Sequence, residues 1–532
     1  MSGSLCKARP WVSCLLILSF LFSAGGCAVK PEPLTEEEHH NRLLADKAEL
    51  AELYSLPEGP VDIYEAVART IKYNLDNRLA RMEAAFALEQ LEAAQLQMLP
   101  RLALNAGYTL RNNESASSSM SYERRVQSLE PSVSSERKRN TADISFSWSL
   151  LDFGISYFQA KQQANSYLIL MERRRRITNN LVKEVITAYC RLDSLENIRP
   201  QVEKTIAEAE EALASYRRLE RRDPSFAVEA LEQQRAILSV LRQLRQLSTD
   251  LEISRARLAA LLHIPREHKL EIVPLAKLEF APPRLELDLT ELENLGVFLR
   301  PDLREEAYRH RIDKDEVKKE IVRLFPGVTL FSGGYYDSNN YLVHNFWAET
   351  GAKASLDILA LPARIKSLQN AETQLEVSRL RRLAGTVAAM LQIDMSYYHY
   401  RLALSNFDDA SELSRIDQKL LKISSAAARS QSIGRMEHIR QSVSSLSTRL
   451  DEDRQMLEVF AAWANLYFSV GCDIMEDLPA DLELDEVTEA VKAGLQRMLD
   501  GELPALPEFI DPVDPAAGPA EELALLNGER LL

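Results

Sequence analysis

One stretch constrains this chain more than any other: between Asn140 and Tyr216 a short strand runs without a break into a very long helix. Ile144, Phe146, Trp148 and Leu150 alternate with Asp143, Ser145, Ser147 and Ser149, and a period of two marks a strand with one apolar and one polar side. At Leu151-Asp152-Phe153-Gly154 the period changes. Small or apolar residues then recur at Ala160, Ala164, Tyr167, Met171, Leu181, Val185, Ala188, Leu192 and Leu195, and again at Val202, Ile206, Ala209, Leu213 and Tyr216. Alternating steps of four and three residues are a coiled-coil repeat. At 1.5 Å per residue the helix is on the order of 100 Å long, more than a globular domain needs.

The pattern occurs twice. Asn74-Leu75-Asp76-Asn77-Arg78 and Arg300-Pro301-Asp302-Leu303-Arg304 align without gaps, and Leu99-Pro100 matches Phe325-Pro326 in the same register, an offset of 226 from Pro100 to Pro326. Gly107/Gly333 and Asn113/Asn339 hold that offset. The first copy predicts a helix from Val61, a second over Arg78 to Met98 and a strand from Leu102 to Leu110. A Ser-rich loop over 112–139 follows, then the strand and long helix, a break near Arg217 to Pro224 and a return helix to His263. The second predicts a strand from about Val328, a loop over 337–345, a strand from Phe346 to Ile358, a long helix from Ala363 to about Ala428 and a return helix through Val443, Leu450, Phe460 and Tyr467.

Function follows from the strands. Each copy supplies two of bilayer length, so the fold class is mainly α with transmembrane β: four barrel strands and long coiled-coil helices per chain. Four strands cannot close, and an open edge in hydrocarbon leaves backbone groups unpaired at several kcal/mol each. The smallest membrane barrels have about eight strands, so the chain is expected to act as an oligomer. In the strand from Phe346, Ala348, Ala352, Ala354, Leu356 and Ile358 face one way and Glu349, Lys353, Ser355 and Asp357 the other. Ser145, Ser147, Ser149, Glu349, Lys353 and Asp357 are therefore predicted to face a water-filled lumen, with Trp148, Tyr341, Phe346 and Trp347 in the interfacial belts.

The ends read differently. Residues 1–26 have the pattern of a signal peptide: Lys7 and Arg9, then an apolar run from Trp11 to Phe22 too short to span a bilayer. Ala24-Gly25-Gly26-Cys27 resembles a bacterial lipobox, which implies cleavage before Cys27 and its diacylation; Ala28 in place of aspartate implies sorting to the outer membrane. Residues 27–60 are a polar, proline-punctuated, lipid-anchored linker; 61–272 and 291–472 are the two repeats, joined by a connector at 273–290. Residues 473–532, acidic and proline-rich, predict a partly disordered tail.

Other classes of function find little support. A net charge of −15 with no face concentrating lysine and arginine argues against a nucleic-acid partner. The cysteines (Cys6, Cys14, Cys27, Cys190 and Cys472) have no metal-ligand or redox spacing. Glycine-rich phosphate loops, nucleophile elbows and H-E-x-x-H are absent, so neither catalytic site nor cofactor is predicted. His39-His40 has no second ligand group nearby, and Asp451-Glu452-Asp453 reads as a solvated helix face. Arg173 to Arg176 wraps around a helix and is expected to pair with neighbouring helices.

With the duplicated segments, Ser147-Trp148-Ser149-Leu150-Leu151-Asp152-Phe153-Gly154, Arg257-Leu258-Ala259-Ala260-Leu261-Leu262 and Gly471 in this order, the chain resembles the TolC-like outer membrane efflux factors over about residues 61–472. The resemblance implies a homotrimer of the resistance-nodulation-division efflux type, with a twelve-stranded β-barrel in the outer membrane of a Gram-negative bacterium. It also implies a twelve-helix α-barrel through the periplasm, docked to a periplasmic adaptor protein and an inner-membrane pump. It implies a passive duct. The resemblance also places adaptor-docking tips at the helix hairpins, here Arg217, Arg218, Arg221 and Arg222 in the first and Arg429 and Ser430 in the second. The chain departs from the family pattern at His263 and at both tips, where glycine is usual, and at Leu359-Ala360-Leu361, which replaces the Asp152-Phe153-Gly154 of the first copy. An outer-membrane-tethered coiled-coil scaffold without a pore is the alternative; it accounts for the heptads but not for the alternating strands.

Overall fold

The computed structural model describes residues 32–128, 130–222, 227–265, 267–275, 288–429, 435–475 and 482–505, with the side chains of 427–429 and 435–439 excepted. It divides into two units, residues 1–54 and 55–532. The first contains α1 (Glu36–Leu53), opened by a capping box in which Thr35 and Glu38 exchange hydrogen bonds; no residue of it is buried. The linker predicted here thus contains a helix, and His39 and His40 lie on it.

In the second unit, α2 (Ile63–Tyr73) and α3 (Leu75–Leu96) are separated at Asn74, which ends one helix and whose side chain accepts from Asp76 N to start the next. Strand β1 (Arg101–Leu110) follows, then a small hairpin of β2 (Ala116–Ser117) and β3 (Ser132–Val133) inside the long loop, then β4 (Lys138–Ser149). Helix α4 (Leu150–Arg222) starts on the next residue and runs 73 residues; its partner α5 is Ala227–Leu261. Pro200, on the exposed side of α4, has no amide to donate to the carbonyl of Glu196 and interrupts the ladder once.

The second copy repeats the order: α6 (Leu289–Leu299), α7 (Pro301–Val322), β5 (Gly327–Asp337), β6 (Phe346–Ser355), α8 (Leu361–Arg429) and α9 (Arg435–Ser469). Arg300 stands where Asn74 does, ending α6 and opening α7. Its guanidinium grips Asp302 with Nε and Nη2 and reaches the Ser469 carbonyl with Nη1 at 2.9 Å. Both return helices stop in a left-handed residue, His263 (φ 55°) and Gly471 (φ 84°). In each the next amide reaches five residues back, Ile264 N to Ala259 O and Cys472 N to Tyr467 O, the Schellman closure.

The principal core is built by α2, α4, α8 and α9, around Tyr189, Tyr400 and Trp463. The Tyr189 hydroxyl lies 3.0 Å from Val61 O and 2.6 Å from Val273 O, at a short parallel bridge that ties the start of the first copy to its end. The acidic tail departs from expectation. Within it α10 (Leu484–Leu499) buries Val487, Val491, Leu495 and Met498 against this core, and Trp463 Nε1 donates to Met498 O at 2.8 Å. Apolar residues every three to four positions give one buried face, a local pattern that the composition of the whole tail hides.

Arg173 pairs between helices as expected, with Glu305 of α7, and Arg175 pairs with Asp473 in the turn after α9. Asp453 is a correction. It faces α4, where Ser194 Oγ donates to it at 3.0 Å, and burial holds its carboxyl above the usual carboxylate range.

Candidate functional site

The four long strands form one antiparallel sheet in the order β1-β4-β5-β6. Residues paired across strands point to the same side, so the register assigns the faces. Ser145 pairs with Gly333, which pairs with Glu349; Ser149 pairs with Thr329, which pairs with Lys353. Ser147 lies between them opposite Phe331. The polar residues predicted separately on β4 and β6 thus share one face, joined by Asn105 and Asp143, whose side chains hydrogen-bond at 2.8 Å. The other face carries Leu102, Leu104, Tyr108, Ile144, Phe146, Leu330, Tyr336 and Phe346, all exposed. Leu104 is 81% exposed. A sheet with one wet face and one bare apolar face, and strands of 10 to 12 residues, has the dimensions and chemistry of a bilayer-spanning wall.

Two assignments change. Strand β6 ends at Ser355 rather than Ile358, because Asp357 turns the chain: its Oδ1 accepts from Leu359 N and Ala360 N at 3.1 Å, just before α8. Ser149 has a similar duty at the other junction, accepting from Asp152 N at 3.2 Å in the first turn of α4. Trp347, expected in an interfacial belt beside Phe346, is on the polar face, because adjacent residues of a strand point to opposite sides.

Beyond the sheet the two connecting loops are tied together. Asn339, buried, donates to Ser134 O at 3.0 Å and accepts from Glu136 N at 3.1 Å, and Arg139 pairs with Asp337 at 3.5 Å. At the opposite end of the long helices, Arg217, Arg218, Arg221 and Arg222 are exposed in the last turns of α4 and make no ion pair among the described residues. Gln234 Nε2 donates to Glu220 at 2.7 Å and clips α5 to α4 there. Arg429 closes α8, with its side chain outside the description; Ser430 and Cys27 lie outside the described residues.

The helices follow the sheet: α3 packs on α4, α4 on α7 and α7 on α8. Both outer members present apolar stripes to solvent, Leu75, Leu79, Met82 and Phe86 on α3 and Val387, Leu391, Met395, Tyr398 and Leu402 on α8. Each stripe lies opposite that helix's buried seam, Ala80, Ala84 and Ala87 in α3 and Ala389, Ile393 and Tyr400 in α8. Sequence reading found the heptads but not this second stripe, although its four-three spacing is readable once the seam is known.

Neither a protein-family profile nor a curated protein matches the sequence. Solved structures do. The MtrE outer membrane channel of Neisseria gonorrhoeae is similar at 17% identity over 77% of this chain and 89% of that one, with a TM-score of 0.59. The CmeC outer membrane channel of Campylobacter jejuni is similar at 13% identity over 81% and 89%, with a TM-score of 0.59. The outer membrane protein VceC of Vibrio cholerae is similar at 13% identity over 80% and 97%, with a TM-score of 0.53.

Proposed function

We propose, from a chain that has the fold of the TolC-like outer membrane efflux factors, that it is the exit duct of a tripartite export system. In this reading three copies close head to tail in the outer membrane. The observation that carries it is the match of the two edges. Strands β1 and β6 end the sheet, and the helices beside them, α3 and α8, are the ones with bare apolar stripes. Edge β6 of one copy then pairs with β1 of the next while stripe packs on stripe. Fully covering an exposed Leu, Val or Met side chain is worth about 1.5–3 kcal/mol; the five residues on α8 are already partly buried, so they contribute several kcal/mol to each joint, against the cost of ordering the copies. Head-to-tail contacts close into a ring when the rotation allows it. A scaffold without a pore leaves both the apolar sheet face and the stripes in water.

The polar sheet face lines the lumen and the apolar face meets lipid. The arginine tip of α4 docks the adaptor, and energy comes from the inner-membrane pump, since the duct itself performs no chemistry. Cys27 anchors the chain by its lipid. Electrophoresis of unboiled membrane extract tests the assembly. The parent should run as a detergent-resistant oligomer, and Leu391→Lys should run as a monomer, because it puts a charge in the joint. A parent that runs as a monomer sinks the reading.

A further inference from the structure

The polar face of the sheet carries more than serines. Tyr335 and Trp347 stack there with ring centroids 5.6 Å apart and planes within 18°. The end of the Phe331 ring reaches over Gly351, where an added Cβ would come within 2.6 Å of Cζ. Tyr335 leans over Gly333 in the same way, its hydroxyl 2.9 Å from where a Cβ would be. The two glycines leave the space that these rings occupy.

Two carboxylates share this ground. Asp143 pairs directly with Tyr335, and Glu349 is the next same-face residue after Trp347. Same-face neighbours are roughly 7 Å apart along a strand and about 5 Å across, so both acids lie within reach of a solute resting on the rings. The cations of this face are elsewhere. Lys353 lies past Gly351 toward α8, Arg101 is on the far strand, and Arg139 is paired with Asp337.

We propose that this patch of rings and carboxylates is a contact site for planar organic cations passing through the lumen. The proposal rests on the channel reading and names a cargo class for it. The rings offer stacking and the negative faces of their π-systems, and the acids complement the charge. An organic anion meets the acids with the wrong sign. An aliphatic cation attracts the acids but has no flat surface to stack.

Purified protein in planar lipid bilayers tests this, with ethidium, tetraethylammonium and 1-naphthalenesulfonate as probes. Ethidium should block the current at a concentration at least tenfold below either of the others. Trp347→Ala and Glu349→Gln should each raise its blocking concentration roughly three- to thirtyfold, read against each variant's own open current. Glu349→Gln is isosteric and exposed, so it keeps the test decidable if Trp347→Ala fails to assemble. Equal block by the three probes, or ethidium block unchanged in Glu349→Gln, overturns the proposal and leaves the channel reading standing. A protein that conducts no ions overturns both.

Discussion

At the scale of single residues, His263 shows what the chain tolerates. It leaves α5 in the left-handed region at φ 55°, which costs a residue with a side chain roughly 1–2 kcal/mol. Gly471 makes the equivalent turn after α9, and there an added Cβ would come within 2.6 Å of Arg300 N, so glycine is needed for space as well as angle. Burial first, and the charge of Arg78 second, hold the His263 imidazole below its ordinary pKa. The folded protein therefore takes up this proton less readily than the unfolded chain. Its stability is full above the ordinary histidine value of about 6.5 and drains away as pH falls through it. His263→Gly should raise the thermal midpoint in detergent at about pH 8 and flatten its decline between about pH 6.5 and 5; an unaltered pH profile would place the titration elsewhere. The face assignment of β4 is checked by chemical labelling. Cys190 and Cys472 are buried, and burial raises both thiols, that of Cys472 to about 12, so these two, the cysteines among the described residues, offer little background. A cysteine in place of Ser147 should react with a water-soluble maleimide and one in place of Phe146 should not. The reverse pattern means a register slipped by one residue.

At the scale of elements, the sequence is legible where one period dominates. Strand β4 and helix α4 could be drawn from Asn140 onward because alternation gives way to heptads at a single point. Strand β5 could not be given faces, since Leu330 and Phe331 are both apolar and Gly333-Gly334 carry no signal. Only its pairing with β4 puts Phe331 on the side of Ser147. The parity of Trp347 with Glu349 was readable, but aromatic character outweighed it. Helix α10 was lost by averaging over a long acidic tail, and Asp453 by reading a charged triplet without its neighbour α4. For the tips, the exposed guanidinium groups at the end of α4 suit carboxylates on a partner. Changing Arg221 and Arg222 to glutamate should abolish export and adaptor cross-linking while oligomers still insert. Parental export by this double variant would show that the first tip does not dock by charge.

At the scale of the whole molecule, membrane attachment has two independent sources in this reading, a lipid on Cys27 and a sheet whose apolar face is bare. Cys27→Ser should lose incorporation of fed palmitate and assemble more slowly, yet still reach the membrane through its strands; palmitate labelling equal to the parent would remove the lipid from the account. Helix α10 completes the core late in synthesis. Lys72 Nζ donates to Leu482 O at 2.9 Å, a contact between residues 410 positions apart. The helix that starts the second unit leaves the ribosome long before the segment that covers it, and contacts so distant in sequence are slow to form. Until α10 emerges, the side of α2 that it covers stays bare, and Trp463, made 35 residues before Met498, still lacks that partner; exposed apolar surface of this kind makes a partly folded chain prone to aggregate. A nascent chain is thus marked as unfinished by its own core until α10 arrives.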